Sequence, residues 1–237
     1  MMTKNERSTT IIVGVLFLIA LVAAIVGGSL IDGILGESDY LSEVAANETQ
    51  LLVGALLELI NGVAVIGIAV LLFPILKRQD EGLALGYVAL RIIEAIVIIA
   101  AFITPVALIA LAQEYTAASA ADASSLQAAG TSFLAVRERL VGQYTGIFFG
   151  LAAFLLYYLL YRSRLVPRLI SVWGFIAVVL VVAWNLLKLF DIDIDAGMVF
   201  GLPIILNEMF LALWLIVKGF NTSAEVFEHV TPAMGRV

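Results

Sequence analysis

Apolar residues fall in six long runs separated by short polar segments. The runs cover 11–31, 51–76, 83–112, 140–161, 169–187 and 198–217. A helix needs about 20 mostly apolar residues to cross a bilayer. These runs meet that length and are too long and evenly apolar for strands. The pattern predicts an all-α polytopic membrane protein, a six transmembrane helix bundle. It reads as a single transmembrane domain over 1–237, with a cytoplasmic tail at 221–237. Short connections make successive helices antiparallel. The third run is long enough to tilt, or to kink at Pro105.

The fourth helix reads as starting before the membrane. Leu126, Phe133, Val136 and Leu140 recur at helical spacing, and Ser124 or Ser125 offers a cap. A helix over 125–161 would be roughly 55 Å long, against a hydrocarbon core of roughly 30 Å. About four turns should protrude, with Arg137, Glu138 and Arg139 near the outer interface.

Composition sharpens the class. Apolar residues make up 62% of the 237, and charged residues 14%; mean hydropathy is +1.09. A soluble domain carries about 25% charged residues, so lipid must be the solvent here. A cytosolic enzyme, a disordered chain and a secreted disulfide scaffold are excluded. The net charge of −6 comes with no basic face, so nucleic acid is not an expected partner; membrane lipids are. There is no Cys, and the single His229 lies in the polar tail. That excludes thiolate or imidazole metal clusters and a Ser-His-Asp triad. No metal and no other cofactor is expected.

Lys and Arg near the ends of the runs give an orientation. One side carries Lys4, Arg7, Lys77, Arg78, Arg162, Arg164, Arg168 and Lys218. The other is acidic, with Asp32, Glu37, Asp39, Glu43, Glu48, Glu114 and Asp191 among others, and only Arg137, Arg139 and Lys188 as cations. The first side reads as cytoplasmic, with both termini there, in the cell membrane. Tyr87, Tyr157, Tyr158, Tyr161, Trp173 and Trp214 fall at the level of that interface. Although Lys4 and Arg7 suit a signal peptide, the first run exceeds the usual apolar core of about 7–15 residues. It reads as a retained helix.

Three stretches carry a family resemblance: GYVALRIIEA at 86–95, YRSRLVPRLISVWGFIA at 161–177 and GLPIILNEMFLALWLIVKGF at 201–220. Together they resemble an uncharacterised family of six-span bacterial and archaeal integral membrane proteins, the domain of unknown function 4386 type. The likeness extends over nearly the whole chain. The family often has an aromatic residue after the Pro-Arg pair, where this chain has Leu169. The resemblance implies the fold and the span count and brings no activity with it.

Four ionisable residues lie deep in the runs: Glu58, Arg91, Glu94 and Glu208. Each costs at least about 2.5–3.5 kcal/mol near the bilayer centre, so they should face the bundle interior and find partners. Glu94 sits about 16 Å and Glu208 about 15 Å from the ends of their spans, near the midplane. Arg91 and Glu94 are three apart and share a helix face, as do Glu58 and Asn61. Asn207 and Glu208 are adjacent and point roughly 100° apart. Arg91 against three glutamates leaves −2 if all ionise. Either glutamates hold protons, or a cation or water enters the site.

Two readings follow for Glu58, Asn61, Arg91, Glu94, Asn207 and Glu208. They line a cavity binding or moving a proton, cation or small polar solute, or they form a structural ion-pair network in a non-catalytic module such as a sensor or accessory subunit. An enzyme ranks last, because no nucleophile, metal site or cofactor motif accompanies the glutamates. Gly142, Gly146 and Gly150 form a GxxxGxxxG stripe that suits close helix packing, within the bundle or as a homodimer face. Three spans plus three would place Glu94 and Glu208 in equivalent helices, but their surroundings do not otherwise match. Lys188 with Asp191, Asp193 and Asp195 reads as a solvated acidic loop.

Overall fold

The computed structural model describes residues 4–192 and 197–221. Among them the elements are α1 (Lys4–Leu35), α2 (Tyr40–Ala46), α3 (Glu48–Leu76), α4 (Glu81–Ala101), α5 (Ile103–Tyr115), α6 (Ala120–Arg137), a π-helical segment (Glu138–Tyr144), α7 (Thr145–Ser163), α8 (Arg168–Leu189) and α9 (Gly197–Val217). Six stretches are long and apolar enough to cross a membrane: α1, α3, α4 with α5, α6 through α7, α8, and α9. The chain is an all-helical, six-span membrane protein. The face from which α1 starts is called the near face below, and the opposite one the far face.

The spans form a closed ring. Each packs on the spans before and after it in sequence, and α9 closes on α1. Lipid solvates apolar side chains as well as a protein interior does, so close contact rather than apolar burial must hold the ring. The contacts are accordingly built on small residues. Ala55, Ala69, Ala84, Ala95, Ala152, Ala177 and Ala212 are all fully buried. Where α1 meets α3, a Cβ added at Gly54 would lie 3.0 Å from the Gly27 carbonyl oxygen and 2.7 Å from the Ile31 side chain. Outward-facing Val63, Ile103 and Leu169 are exposed, as lipid-facing residues should be.

The third span is broken. α4 ends at Ala101 and α5 starts at Ile103, with Pro105 in the first turn of α5. The first four N–H groups of a helix lack intrahelical acceptors, so the missing proline N–H is tolerated there. The fourth span is one rod of 44 residues, Ala120–Ser163, about 66 Å at the α-helical rise. It starts earlier than the sequence suggested, because Ser119 supplies the cap, its Oγ accepting from the Asp122 N–H at 3.4 Å. Ser125 instead donates to the Asp122 carbonyl within the helix.

The far face carries its own small core. Ile31, Ile34, Leu41, Val44, Leu51, Leu108 and Ala112 are buried together, with Leu126, Phe133 and Leu134 packed on them. α2 supplies Tyr40, Leu41 and Val44 to it, a helical spacing inside a segment read from sequence as one of the short polar connections. The Tyr40 hydroxyl donates to the Gln127 carbonyl at 2.9 Å and ties α2 to α6.

At the near face Arg7 closes the ring. Its guanidinium donates to the carbonyls of Leu215, Ile216 and Val217 at 3.1, 2.6 and 3.2 Å. These are the orphan acceptors and the negative dipole end of α9. Arg7→Met is expected to cost about 1–2 kcal/mol, read as a lower melting temperature of the detergent-solubilised protein. An unchanged melting temperature would show that the cap is dispensable.

Tyr87 and Tyr157 are not part of an interfacial belt. Both are fully buried inside the ring, and Tyr157 packs so closely on Gly174 that an added Cβ there would strike its ring. Tyr158 and Tyr161 on the same helix do face outward.

Candidate functional site

Within the ring lies a cavity of about 350 Å³, and every span contributes to its wall. Ala24 comes from α1, Asn61 from α3, Glu94 from α4, Thr145 from α7, Asn185 from α8 and Glu208 from α9.

Arg91 organises the centre. The i,i+3 spacing on α4 brings Glu94 to it, and its Nη1 donates to both Glu94 carboxylate oxygens, at 3.2 and 3.0 Å. The guanidinium carbon lies 5.6 Å from the Tyr87 ring centroid and 5.2 Å from that of Phe149. Two aromatic faces therefore flank the cation. Arg91 is only 1% exposed, yet among the described residues its Nε and Nη2 have no hydrogen-bond partner. Buried guanidinium donors without acceptors are costly, so this arrangement calls for something in the cavity to accept from them.

Glu208 reaches the cavity from the opposite side. Its Oε1 is 4.0 Å from Arg91 Nη2, an electrostatic contact beyond hydrogen-bond range. Asn207, one residue earlier, turns away as the helical period requires. It is fully buried and donates to the Ile170 carbonyl of α8 at 3.0 Å. Asn61 is half-buried on the cavity wall.

Glu58 does not join this group. It pairs with Arg137, whose Nη1 and Nη2 donate to its two oxygens at 3.1 and 2.5 Å. This two-pronged pair is buried between α3 and α6. Arg137 was expected near the outer interface, with no partner assigned to it; it points inward and is 5% exposed. Glu138 beside it is exposed, and Arg139 bridges to Asp191 at 2.7 Å. The buried charge sum therefore changes. Three glutamates face two arginines, leaving −1 rather than −2, and Glu208 is the carboxylate without an arginine of its own.

Sequence reasoning also missed three α8 contributors to the wall. Trp184, Asn185 and Lys188 lie one turn apart at i, i+1 and i+4. Lys188 Nζ sits 4.9 Å from the Trp184 ring centroid. Trp184 Nε1 and Asn185 Oδ1 are buried without partners among the described residues. Asn185 and Trp184 interrupting an apolar run were the available signal. The glycine stripe belongs to the same helix pair. An added Cβ at Gly146 would strike Asn185, and one at Gly150 would strike Val182. Gly142 differs: its nearest neighbour would be Glu138 Cγ at 3.8 Å.

Gly142 lies between two hollows. A second hollow of about 390 Å³ lies at the far face, lined by Asp32, Arg137 and Glu138, and it shares Val141 and Gly142 with the central cavity. Both residues belong to the π-helical segment. Such segments occur often at functional sites in helices. Among the described residues no group of three or more His, Asp or Glu gathers to hold a metal ion. Asp193, Asp195 and His229 lie outside the described residues.

No curated protein and no solved structure matches the chain. A family model does, that of a domain of unknown function, DUF4386, over residues 12–219. The match takes in all six spans and every residue of the central cavity, and the chain belongs to that family.

Proposed function

We propose that this protein binds a small polar solute at the bilayer midplane, reached from the far face past Gly142, and serves as a carrier or sensor for it. One observation carries the reading: a cavity walled by all six spans holds a buried arginine with donors unused among the described residues, facing a carboxylate that no described cation approaches within hydrogen-bond range. Intramembrane ionisable residues are functional candidates by default. A purely structural ion-pair network accounts for Glu58–Arg137 and Arg91–Glu94. It leaves Glu208 and the open space beside it without a purpose. The arginine and lysine excess at the near face supports a cytoplasmic assignment for that side in a cell membrane.

Carbodiimide labelling in native membranes, read by mass spectrometry, tests the proposal. Glu208 is expected to react with a water-soluble reagent, whereas Glu58 and Glu94 are held by arginines and stay unmodified. Gly142→Phe is expected to abolish the Glu208 reaction while leaving the melting temperature near that of the parent, because a Cβ at that position meets only the Glu138 stem, at 3.8 Å. Absence of Glu208 labelling in the parent protein would mean a sealed core and would end this reading.

A further inference from the structure

We infer that the solute is a zwitterion, a small molecule carrying an oxyanion and an ammonium group; this rests on the cavity reading above. With the half-buried Lys188 counted, the four charged residues on the wall balance, Arg91 and Lys188 against Glu94 and Glu208, so a lone anion or cation would bring net charge into a low-dielectric space. A zwitterion adds no net charge.

The unused polar atoms are of both kinds. The buried Nε and Nη2 of Arg91 and Nε1 of Trp184 are donors without acceptors among the described residues, which suits an oxyanion. Lys188, over the Trp184 ring, adds a positive charge to the wall. The acceptors are Asn185 Oδ1, also without a described partner, and the Glu208 carboxylate, to which no described side chain donates a hydrogen bond at its 4.0 Å approach to Arg91. Those suit an ammonium group. The 350 Å³ volume corresponds to on the order of ten waters, enough for a compact solute.

The chain has no native Cys, so Thr145→Cys places a single thiol on the cavity wall. Its rate of reaction with a charged methanethiosulfonate reagent is measured in non-ionic detergent. The probes are glycine, β-alanine, acetate and methylammonium, and phosphatidylethanolamine added to the micelle. Glycine or β-alanine is expected to slow the reaction about tenfold at ten times its dissociation constant, with acetate and methylammonium without effect. Protection by phosphatidylethanolamine alone would assign the same chemistry to a lipid headgroup. Glu208→Gln, of nearly the same shape, is expected to remove the protection and leave the thiol reactive. Equal protection by acetate or methylammonium, or none by any zwitterion, would overturn the zwitterion while the reactive thiol still upheld the cavity. A thiol that never reacts would overturn the cavity itself.

Discussion

Arg137→Met is expected to destabilise the protein by about 3–5 kcal/mol, the cost of breaking a buried ion pair and leaving its partner charged. Glu58 would remain in an apolar setting between α3 and α6 with both of its donors gone. Glu58→Met should cost as much, by stranding the arginine. The double variant Glu58→Met with Arg137→Met removes both charges and should recover most of the loss, since replacing a whole buried pair by apolar groups is often close to neutral. Thermal or denaturant unfolding in detergent gives all three values and the coupling between the sites. Additive effects would mean that the two side chains do not meet.

The second large effect concerns the glycine stripe, where three chemically identical substitutions should separate. Gly146→Leu and Gly150→Leu drive side chains into Asn185 and Val182 of α8. Overpacking of this kind costs about 1–3 kcal/mol per site, and Val182 is branched at Cβ and gives way poorly. Gly142→Leu meets only a glutamate stem and should leave stability unchanged. Unfolding midpoints of the three variants check the order. Equal losses at all three positions would contradict the packing of α7 on α8 described above.

That division of the stripe illustrates what the sequence could and could not reveal. Spacing identifies glycines that allow close approach, but it cannot tell which of them meets a neighbouring helix and which borders a hollow. The six spans were legible because lipid demands long apolar runs, and that constraint acts locally. Arg91 with Glu94 was legible for the same reason, since i,i+3 geometry needs no tertiary information. Glu58–Arg137 was not, because the partners lie 79 positions apart.

The helical face of the fourth span was also misphased. The sequence pattern put Val136 on the apolar face with Leu126, Phe133 and Leu140 and gave Arg137 only a level, near the outer interface; Val136 is 53% exposed while Gly130 and Arg137 are buried. Gly130, Phe133 and Arg137 stand three and four residues apart on one face, so the arginine's inward position was available from periodicity. Helix α2 was hidden by its charged neighbours, although Tyr40, Leu41 and Val44 carry the spacing. The buried location of Tyr87 and Tyr157 could not be read at all. Depth along a span follows from counting residues, whereas the side a tyrosine faces depends on the ring of helices around it.

The central claim, a midplane cavity open to the far face, is tested most directly by a cysteine scan, for which the chain is already free of background thiols. Single cysteines at Ala24, Asn61, Val65 and Thr145 sample the cavity wall, and ones at Val63 and Ile96 sample the exposed outer surface of the same spans. Each is treated in sealed vesicles of known orientation with a membrane-impermeant thiol reagent, from one side and then the other. The expected result is reaction at the four cavity positions from the far face only, and none at the two outer positions. Unreactive cavity positions, or reaction from the near face past Tyr87 and Tyr157, would contradict it.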